Sequence, residues 1–411
     1  MREQLPVHYV GIDIGTSTIR SVVGMSDPDD PIKMSIVGHG SSKNIGMRKG
    51  VVMHPDDVTE SLLASITEAE RVSGVHIKSA TVNINGSHIL GINSKGVIAI
   101  STNNREITPE DRLRVEEAAT IVQLPSNREI IQVFSKGYRL DGHDNIKDPV
   151  GMQGVRLEVD THIVTVSSPN LRALDSVLEK AKIFPEHHTV SSLASAEAVL
   201  NRQQKEAGTL LLDIGAGTTN LVVVEDGEIQ HIAVLPLGGI HVTNDIAIGL
   251  KTDLEIAEKV KVNYAGLGEN ATRRTSISLQ YGGSNHTFST TEIQMITEAR
   301  VDEILEYVDK ELKKIHRSRK LPGGVVIVGG TANLPGLAHF TKEKLQLAAR
   351  IGHIQPMSGL ADNVKDPSYA TAIGLMMLDM LLVPASSINR RGSINSSFFG
   401  SMEGLFKRFK K

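Results

Sequence analysis

Apolar positions along the chain fall into two periods, and the switches between them mark an α/β protein. Short β-branched runs, such as YVGIDI, IRSVVG, LLLDI and LVVV, have the length and content of buried strands. IKMSIVGHG (32–40), SATVNING (79–86) and IQHIAVLPLGG (229–239) extend the set. Longer stretches repeat at helical spacing. Asp56, Asp57 and Glu60 open one, whose apolar residues are Val58, Leu62, Leu63, Ile66 and Ala69, with the acids suited to a helix N-terminus. Others cover 170–183, 191–201, 253–264, about 291–316 and 366–381. The long helix carries Ile293, Ile296, Val301, Ile304, Leu305, Val308 and Leu312 on its apolar face. The helix at 191–201 is rich in small residues, which permit close helix approach and suit a hinge; that at 366–381 mirrors it.

One arrangement occurs twice. Residues 7–18 read VHYVGIDIGTST and residues 209–220 read TLLLDIGAGTTN. In each, a strand delivers an aspartate, then Ile-Gly, then glycines and hydroxyls, and a second strand follows. That is a β-hairpin, distinct from the strand-to-helix turn of a P-loop or dinucleotide fingerprint. Its uncluttered backbone N–H groups and hydroxyls can face phosphate oxygens. Asp13 and Asp213, at the strand ends, can hold a hydrated Mg²⁺ through water. A single copy reads equally well as a plain Gly-rich turn. Two copies, each followed by the same order of elements, predict a duplicated αβ domain with the hairpins facing one cleft.

Between 87 and 163 the repeat breaks. Strand-like segments flank a helix expected from Thr108-Pro109-Glu110-Asp111, with hydroxyl cap, early proline and acids, running to about Val122. The segment reads as an inserted α+β subdomain or as a decorated loop. Residues 266–290 suit a small edge hairpin. A buried strand then runs into Gly329-Gly330-Thr331, where a flat base or ribose can approach the backbone.

Composition narrows the classes. The 411 residues carry a net charge of −3, so no global field favours nucleic acid as a partner. Cysteine is absent, which excludes a disulfide scaffold and fits a reducing cytosol. No signal-peptide pattern or run of ~20 apolar residues is found, so a cytoplasmic protein is expected. The histidines lack metal spacing, and His187–His188 reads as a surface pair.

These motifs resemble the bacterial cell-division family FtsA, within the actin–Hsp70–sugar-kinase superfamily. The marks are DIGTSTIRSVVG, NINGSHI, DPVGMQGVRLEVDTHIVT, SLASAEAVL, LLDIGAGTTNLVV, the AEKVK segment, VIVGGTANLPGL and DPSYATAIGL, spread over nearly the whole chain. The resemblance implies a duplicated ribonuclease-H-like (actin-like ATPase) fold with an inserted α+β subdomain and a C-terminal amphipathic helix. Its divisions would be a first half (1–86 and 164–205), the insert (87–163), a second half (206–239 and 318–383), a subdomain at 240–317, a linker (384–397) and a terminal helix (398–411). It implies ATP with Mg²⁺ as ligands. Asp13, Gly15, Thr16, Ser17 and Thr18 match the first phosphate motif; Asp213, Gly215, Gly217, Thr218 and Thr219 match the second. Gly329, Gly330, Thr331 and Asn333 match the adenosine motif, and Glu258 and Lys261 the groups facing base or ribose, though by itself that pair reads as a solvated helical pair. It further implies homopolymer contacts through the insert, and capture of the FtsZ C-terminal tail by 240–317. Arg300 matches that contact; alone it reads as a solvated arginine. At the position where MreB and Hsp70 carry a water-orienting glutamate this chain has Ser192, so ATP binding with slow or negligible hydrolysis is expected. A sugar or acetate kinase, the enzyme alternative, would need a substrate pocket with a catalytic carboxylate and has no use for a tethered membrane helix; the pilus-assembly relative PilM, which shares hairpins and insert but lacks this kind of tail, is the closer alternative.

The tail is informative in its own right. After Pro384, PASSINRRGSINSS loses periodicity and reads as a tether. Phe398 and Phe399 open its last segment. Met402, Leu405, Phe406 and Phe409 form one helical stripe flanked by Lys407, Arg408, Lys410 and Lys411. Such a peptide is too short to hold a helix in water. At an anionic bilayer each basic residue contributes ~1 kcal/mol and each fully buried large apolar side chain ~1.5–3 kcal/mol. One tail binds weakly, and a polymer of tails binds well. A plain basic tail, or a helix docked on the protein itself, is the other reading. The expected whole is an actin-like adaptor that anchors FtsZ filaments to the cytoplasmic face of the inner membrane at the division site.

Overall fold

The computed structural model describes residues 7–27, 34–101, 104–270, 275–359 and 364–382. The expected tether and terminal stripe (384–411) lie outside these residues, as does the start of the strand expected from residue 32.

In the first half, strands β1 (His8–Ile14), β2 (Thr18–Ser26) and β3 (Met34–Lys43) are followed by the short pair β4 (Met47–Arg48) and β5 (Val51–Val52), helix α1 (Pro55–Ser73) and β6 (Ser79–Ile84). The insert supplies β7 (Leu90–Ala99), α2 (Pro109–Ala119), β8 (Arg128–Leu140), β9 (His143–Ile146) and β10 (Arg156–Ser167). Then come α3 (Ser168–Lys180), β11 (Phe184–Val190), α4 (Ser191–Val199) and α5 (Arg202–Ala207). The second half contains β12 (Thr209–Ile214), β13 (Thr219–Glu225), β14 (Glu228–Leu235), α6 (Gly239–Gly249), α7 (Leu254–Tyr264), β15 (Ser276–Tyr281), β16 (Ser284–Ser289), α8 (Thr290–Lys314), β17 (Gly324–Val328), α9 (Leu337–Leu345), β18 (Ala349–Ile351) and α10 (Ala370–Leu382).

The duplication is visible in the strand order. One sheet runs β3-β2-β1-β6-β11 and the other β14-β13-β12-β17-β18. In both, the first three strands form an antiparallel meander and the last two add in parallel. The insert is an antiparallel sheet, β7-β10-β8-β9, under α2.

Local chemistry explains the helix ends. Pro55 begins α1, Asp56 and Asp57 occupy its first turn, and Gly74 closes it at φ 72° with its N–H on Glu70 O. Val58, Leu62, Ile66 and Ala69 are buried as expected, but Leu63 faces outward at 42% exposure. Thr108 and Asp111 cap α2 reciprocally, and α2 ends at Ala119, three residues earlier than expected. The strand β11 was not foreseen. It places His187 and His188 on a sheet edge, where both are only partly exposed and His188 Nε2 lies 3.0 Å from Asp175 Oδ1; they are no loose surface pair.

One continuous core joins the first sheet, α1, α4, α10, the root of the insert and one face of the second sheet. The other face of the second sheet is covered by α8 and α9. Helix α10 lies directly on β1: a Cβ at Gly11 would sit 2.2 Å from Ala372 O. Among the described residues no helix is long and apolar enough to cross a membrane.

Candidate functional site: a cleft between two hairpins

The β1–β2 and β12–β13 turns face one cleft of about 370 Å³. Every residue expected at the nucleotide lines it, except Gly217 and Thr219. Gly217 instead lies beneath Thr16, where a Cβ would come 2.8 Å from the Thr16 hydroxyl oxygen. Thr219 is buried and donates its hydroxyl to Leu237 O. The hairpins are therefore in contact at their tips. A larger groove, about 950 Å³, separates the insert from the β13–β14 turn. Its walls mix charges of both signs, among them Lys95, Arg112, Glu158 and Asp160, and it contains neither phosphate hairpin.

Each carboxylate is fixed by one oxygen. Asn83 donates Nδ2 to Asp13 Oδ1 at 2.7 Å, while its own Oδ1 receives Ile14 N–H, also at 2.7 Å. Asp213 Oδ2 accepts the hydroxyls of Thr371 (2.9 Å) and Ser195 (3.2 Å). Burial pushes Asp13 up to about 7, with Arg20 pulling it down and the Asp213 charge pushing it further up. Burial also raises Asp213, against the Thr371 and Ser195 hydroxyls and Arg20. Two neighbouring carboxylates, Asp213 buried and Asp13 partly buried, whose charged forms are both disfavoured make a cation-seeking pair. With oxygen donors only, and one oxygen of each already held, they fit a hard divalent ion bound through waters.

The second half supplies the wall of the cleft where a base is expected. Gly329 has φ 88°, and a Cβ there would come 2.5 Å from Asp213 Oδ1, so the strand-to-turn transition admits only glycine. Around Gly330 nothing lies within 4 Å of a Cβ position, which leaves the backbone open to a ligand. Thr331 donates its hydroxyl to Gly215 O (3.1 Å) and Asn333 donates to Asp366 (3.0 Å), bolting this segment to the second hairpin and to the approach to α10. Glu258 and Lys261 do form the i,i+3 helical pair, with Glu258 exposed, but Lys261 does more than pair with it. Lys261 Nζ reaches Glu258 (2.6 Å), Thr243 Oγ1 (2.8 Å) and Gly239 O (3.2 Å), tying α7 to the start of α6.

Several lining residues escaped the sequence reading: Arg20, Asn85, Ser191, Asn220 and Thr371. Two of them carried a signal. Across the hairpins Asp13 pairs with Arg20 and Asp213 with Asn220, the same register in both copies. Ser192 is fully buried with no partner for its hydroxyl, and its neighbour Ser191 faces the cleft. The carboxylates lining the cleft are Asp13, Asp213 and Glu258. Outside the cleft, Arg300 is held within the chain by both carboxylate oxygens of Asp245 and by Glu303. The membrane-stripe residues from Phe398 to Lys411 lie outside the described residues.

Solved structures share this architecture. The type IV pilus PilM–PilN complex superposes with TM-score 0.65 at 17% identity, covering 91% of this chain and 99% of that one. MreB5 of Spiroplasma citri bound to ADP gives 0.52 at 14% identity, covering 90% and 95%. At such identities the likeness shows the fold, which is actin-like. Sequence carries further. The family profile described as "Cell division protein FtsA" matches residues 210–374, and "SHS2 domain inserted in FTSA" matches 86–165. Cell division protein FtsA of Pseudomonas aeruginosa is 34% identical over 90% of this chain and 88% of its own length. That of Borreliella burgdorferi is 34% identical over 95% and 97%, and that of Bacillus subtilis 36% over 90% and 82%. The chain belongs to the FtsA family of cell division proteins.

Proposed function

We propose that this protein is an ATP-binding, polymer-forming adaptor that ties FtsZ filaments to the cytoplasmic face of the membrane at the division site. The observation that carries the nucleotide part is the pair of equivalent hairpins lining one cleft, with a carboxylate beside each, Asp213 buried and Asp13 partly buried. Asp13, Gly15, Thr16, Ser17, Thr18, Asp213, Gly215 and Thr218 bind the phosphates. Gly329, Gly330, Thr331, Asn333, Glu258 and Lys261 bind the nucleoside, while Gly217 and Thr219 shape the second turn. Asp13 and Asp213 hold a Mg²⁺ ion through water, and the ion offsets phosphate charge when bound.

Hydrolysis is slow or negligible. Phosphoryl transfer depends on positioning and charge, and a group that orients water is worth orders of magnitude. The hydroxyl at Ser191 can hold a water but cannot take its proton at neutral pH. Glu258 belongs to the nucleoside wall.

The membrane and FtsZ roles rest on sequence. The stripe of Met402, Leu405, Phe406 and Phe409 with its basic flanks favours an anionic surface, and the family assignment favours cell division over a pilus scaffold or a small-molecule kinase. The insert (87–163) carries contacts between copies, and 240–317 receives the FtsZ tail. Arg300 can join that contact only by exchanging Asp245 or Glu303 for an acidic partner residue, since both are already bound to it. Co-sedimentation with FtsZ on anionic vesicles tests the reading. Phe406→Glu is expected to abolish vesicle binding, and Asp213→Ala to weaken nucleotide-dependent assembly. Wild-type protein that stays in the supernatant with ATP and vesicles would overturn the anchor.

A further inference from the structure

The second hairpin turn has two ends with different attachments. Gly215 O accepts Thr331 Oγ1 (3.1 Å) and Gly239 N–H (2.9 Å), which fastens this end to the nucleoside wall. Thr218, at the other end, reaches across to the first half: its hydroxyl accepts Asn85 Nδ2 at 3.1 Å. Asn85 stands just beyond β6, and its Oδ1 receives Gly86 N–H at 2.6 Å. That second bond fixes the amide orientation, so the NH₂ group must face the hairpin. One of its two hydrogens serves Thr218; the other has no partner among the described residues.

Three close approaches lock this end of the cleft. Thr16 packs on Gly217 across the gap, and its hydroxyl accepts Gly50 N–H at 3.0 Å. Gly50 in turn lies against Gly86, where an added Cβ would come 2.7 Å from Gly86 N. Asn85 and Ser191 line the same cleft as Glu258, Lys261 and the Gly329–Asn333 segment. On the ATP reading, a nucleoside on the latter would direct its terminal phosphate towards the former.

Building on the ATP reading, we propose that Asn85 distinguishes nucleoside triphosphate from diphosphate. Its unpartnered N–H hydrogen donates to the terminal phosphate while its other hydrogen holds Thr218, so the third phosphate and closure of the cleft reinforce each other. A diphosphate ends short of it. The same loop leads into the insert: His88 O accepts Arg128 Nη2 (2.7 Å), and Arg128 also binds Thr165 on β10. A terminal phosphate recognised at Asn85 is therefore felt three residues from the root of the inserted sheet.

The test compares affinities of the full chain for ADP and for a non-hydrolysable ATP analogue, each with Mg²⁺, by competition against a fluorescent nucleotide. Asn85→Ala is expected to weaken the analogue ~10-fold, as loss of a hydrogen bond to a charged group does, and to change ADP by less than about twofold. Asn85→Asp puts a carboxylate against the terminal phosphate and is expected to weaken the analogue more than Asn85→Ala does. Asn85→Ser, which keeps a donor, recovers part of the preference and shows that any loss is not misfolding. Equal weakening of both nucleotides, or no change in their ratio, overturns the proposal while leaving ATP binding intact. Wild-type protein that binds neither nucleotide overturns both.

Discussion

The two halves share one strand order and one hairpin, yet they divide the work unequally. In the first, Asp13 is held by Asn83 from the same sheet and faces Arg20 across the hairpin. In the second, Asp213 is held by Ser195 on α4 and Thr371 on α10, and faces Asn220. One carboxylate is thus fixed to its own half, and the other to the two helices that run between the halves. The proposed nucleoside wall, Glu258, Lys261 and the Gly329–Asn333 segment, belongs to the second half, and the insert to the first. The two turns are equivalent in register, but one sets an arginine opposite its aspartate and the other ties its aspartate to α4 and α10.

The strongest way to break this picture is at the crossing of α4 and α10. A Cβ at Gly374 would lie 1.7 Å from Ala194 O, so the helices touch backbone to backbone. Gly374→Val cannot be accommodated by rotating a side chain. It is expected to destabilise the protein by about 3 kcal/mol, at the upper end of overpacking costs, and to disturb Asp213 through Ser195 and Thr371. Urea unfolding measures the first effect and Mg²⁺-dependent nucleotide affinity the second. Normal affinity in a destabilised variant would separate Asp213 from the hinge.

What the sequence disclosed follows the range over which its signals act. Both hairpins were legible because each is local, with aspartate, glycines and hydroxyls inside a dozen residues. Helix α10 was legible from continuous apolarity. β11 was hidden, because FPEHHTV offers proline and two histidines on an edge strand paired on one side only. Thr371 had no local mark at all: it meets Asp213 across 158 positions of sequence. Arg20 lay in between. Aligning the two copies would have set it opposite Asn220, and only the fold shows that both line one cleft.

A second, smaller effect tests the insert as a strut between the halves. His162 on β10 accepts Ile232 N–H from β14 at Nε2 (3.0 Å), so its proton sits on Nδ1, facing Asn93 Oδ1 (2.9 Å). Burial, with His231 and Lys136 nearby, lowers its pKa to about 3; His231 in turn meets Glu311 at 3.0 Å. The unfolded chain takes up a proton below about 6.5 that the folded protein refuses, so this stability is present above pH 6.5 and lost as pH falls towards 3. Between pH 7.5 and 5 the loss amounts to roughly 2 kcal/mol. His162→Gln should remove that part of the pH slope in urea unfolding. An unchanged slope would place the acid sensitivity elsewhere.

The smallest effect sharpens the comparison most, because it sets the two hairpins directly against each other. Arg20 and Asn220 occupy the same register position opposite their aspartates, and both line the cleft. Arg20 lies over the Tyr369 ring at 5.1 Å, and its Nε is buried without a hydrogen-bond partner. A cation held in place but not fully engaged is prepared for an anion. Asn220 Oδ1 is also buried without a partner among the described residues, and its amide, unlike the guanidinium, brings no charge to a phosphate. Arg20→Asn is therefore expected to weaken triphosphate binding about tenfold, near 1.4 kcal/mol, whereas Asn220→Ala removes an unsatisfied acceptor and should alter it by less than about twofold. If both substitutions weaken binding equally, the hairpins share the load as their sequences alone suggest, and the division between a cationic seat and a hinge-bound link is wrong.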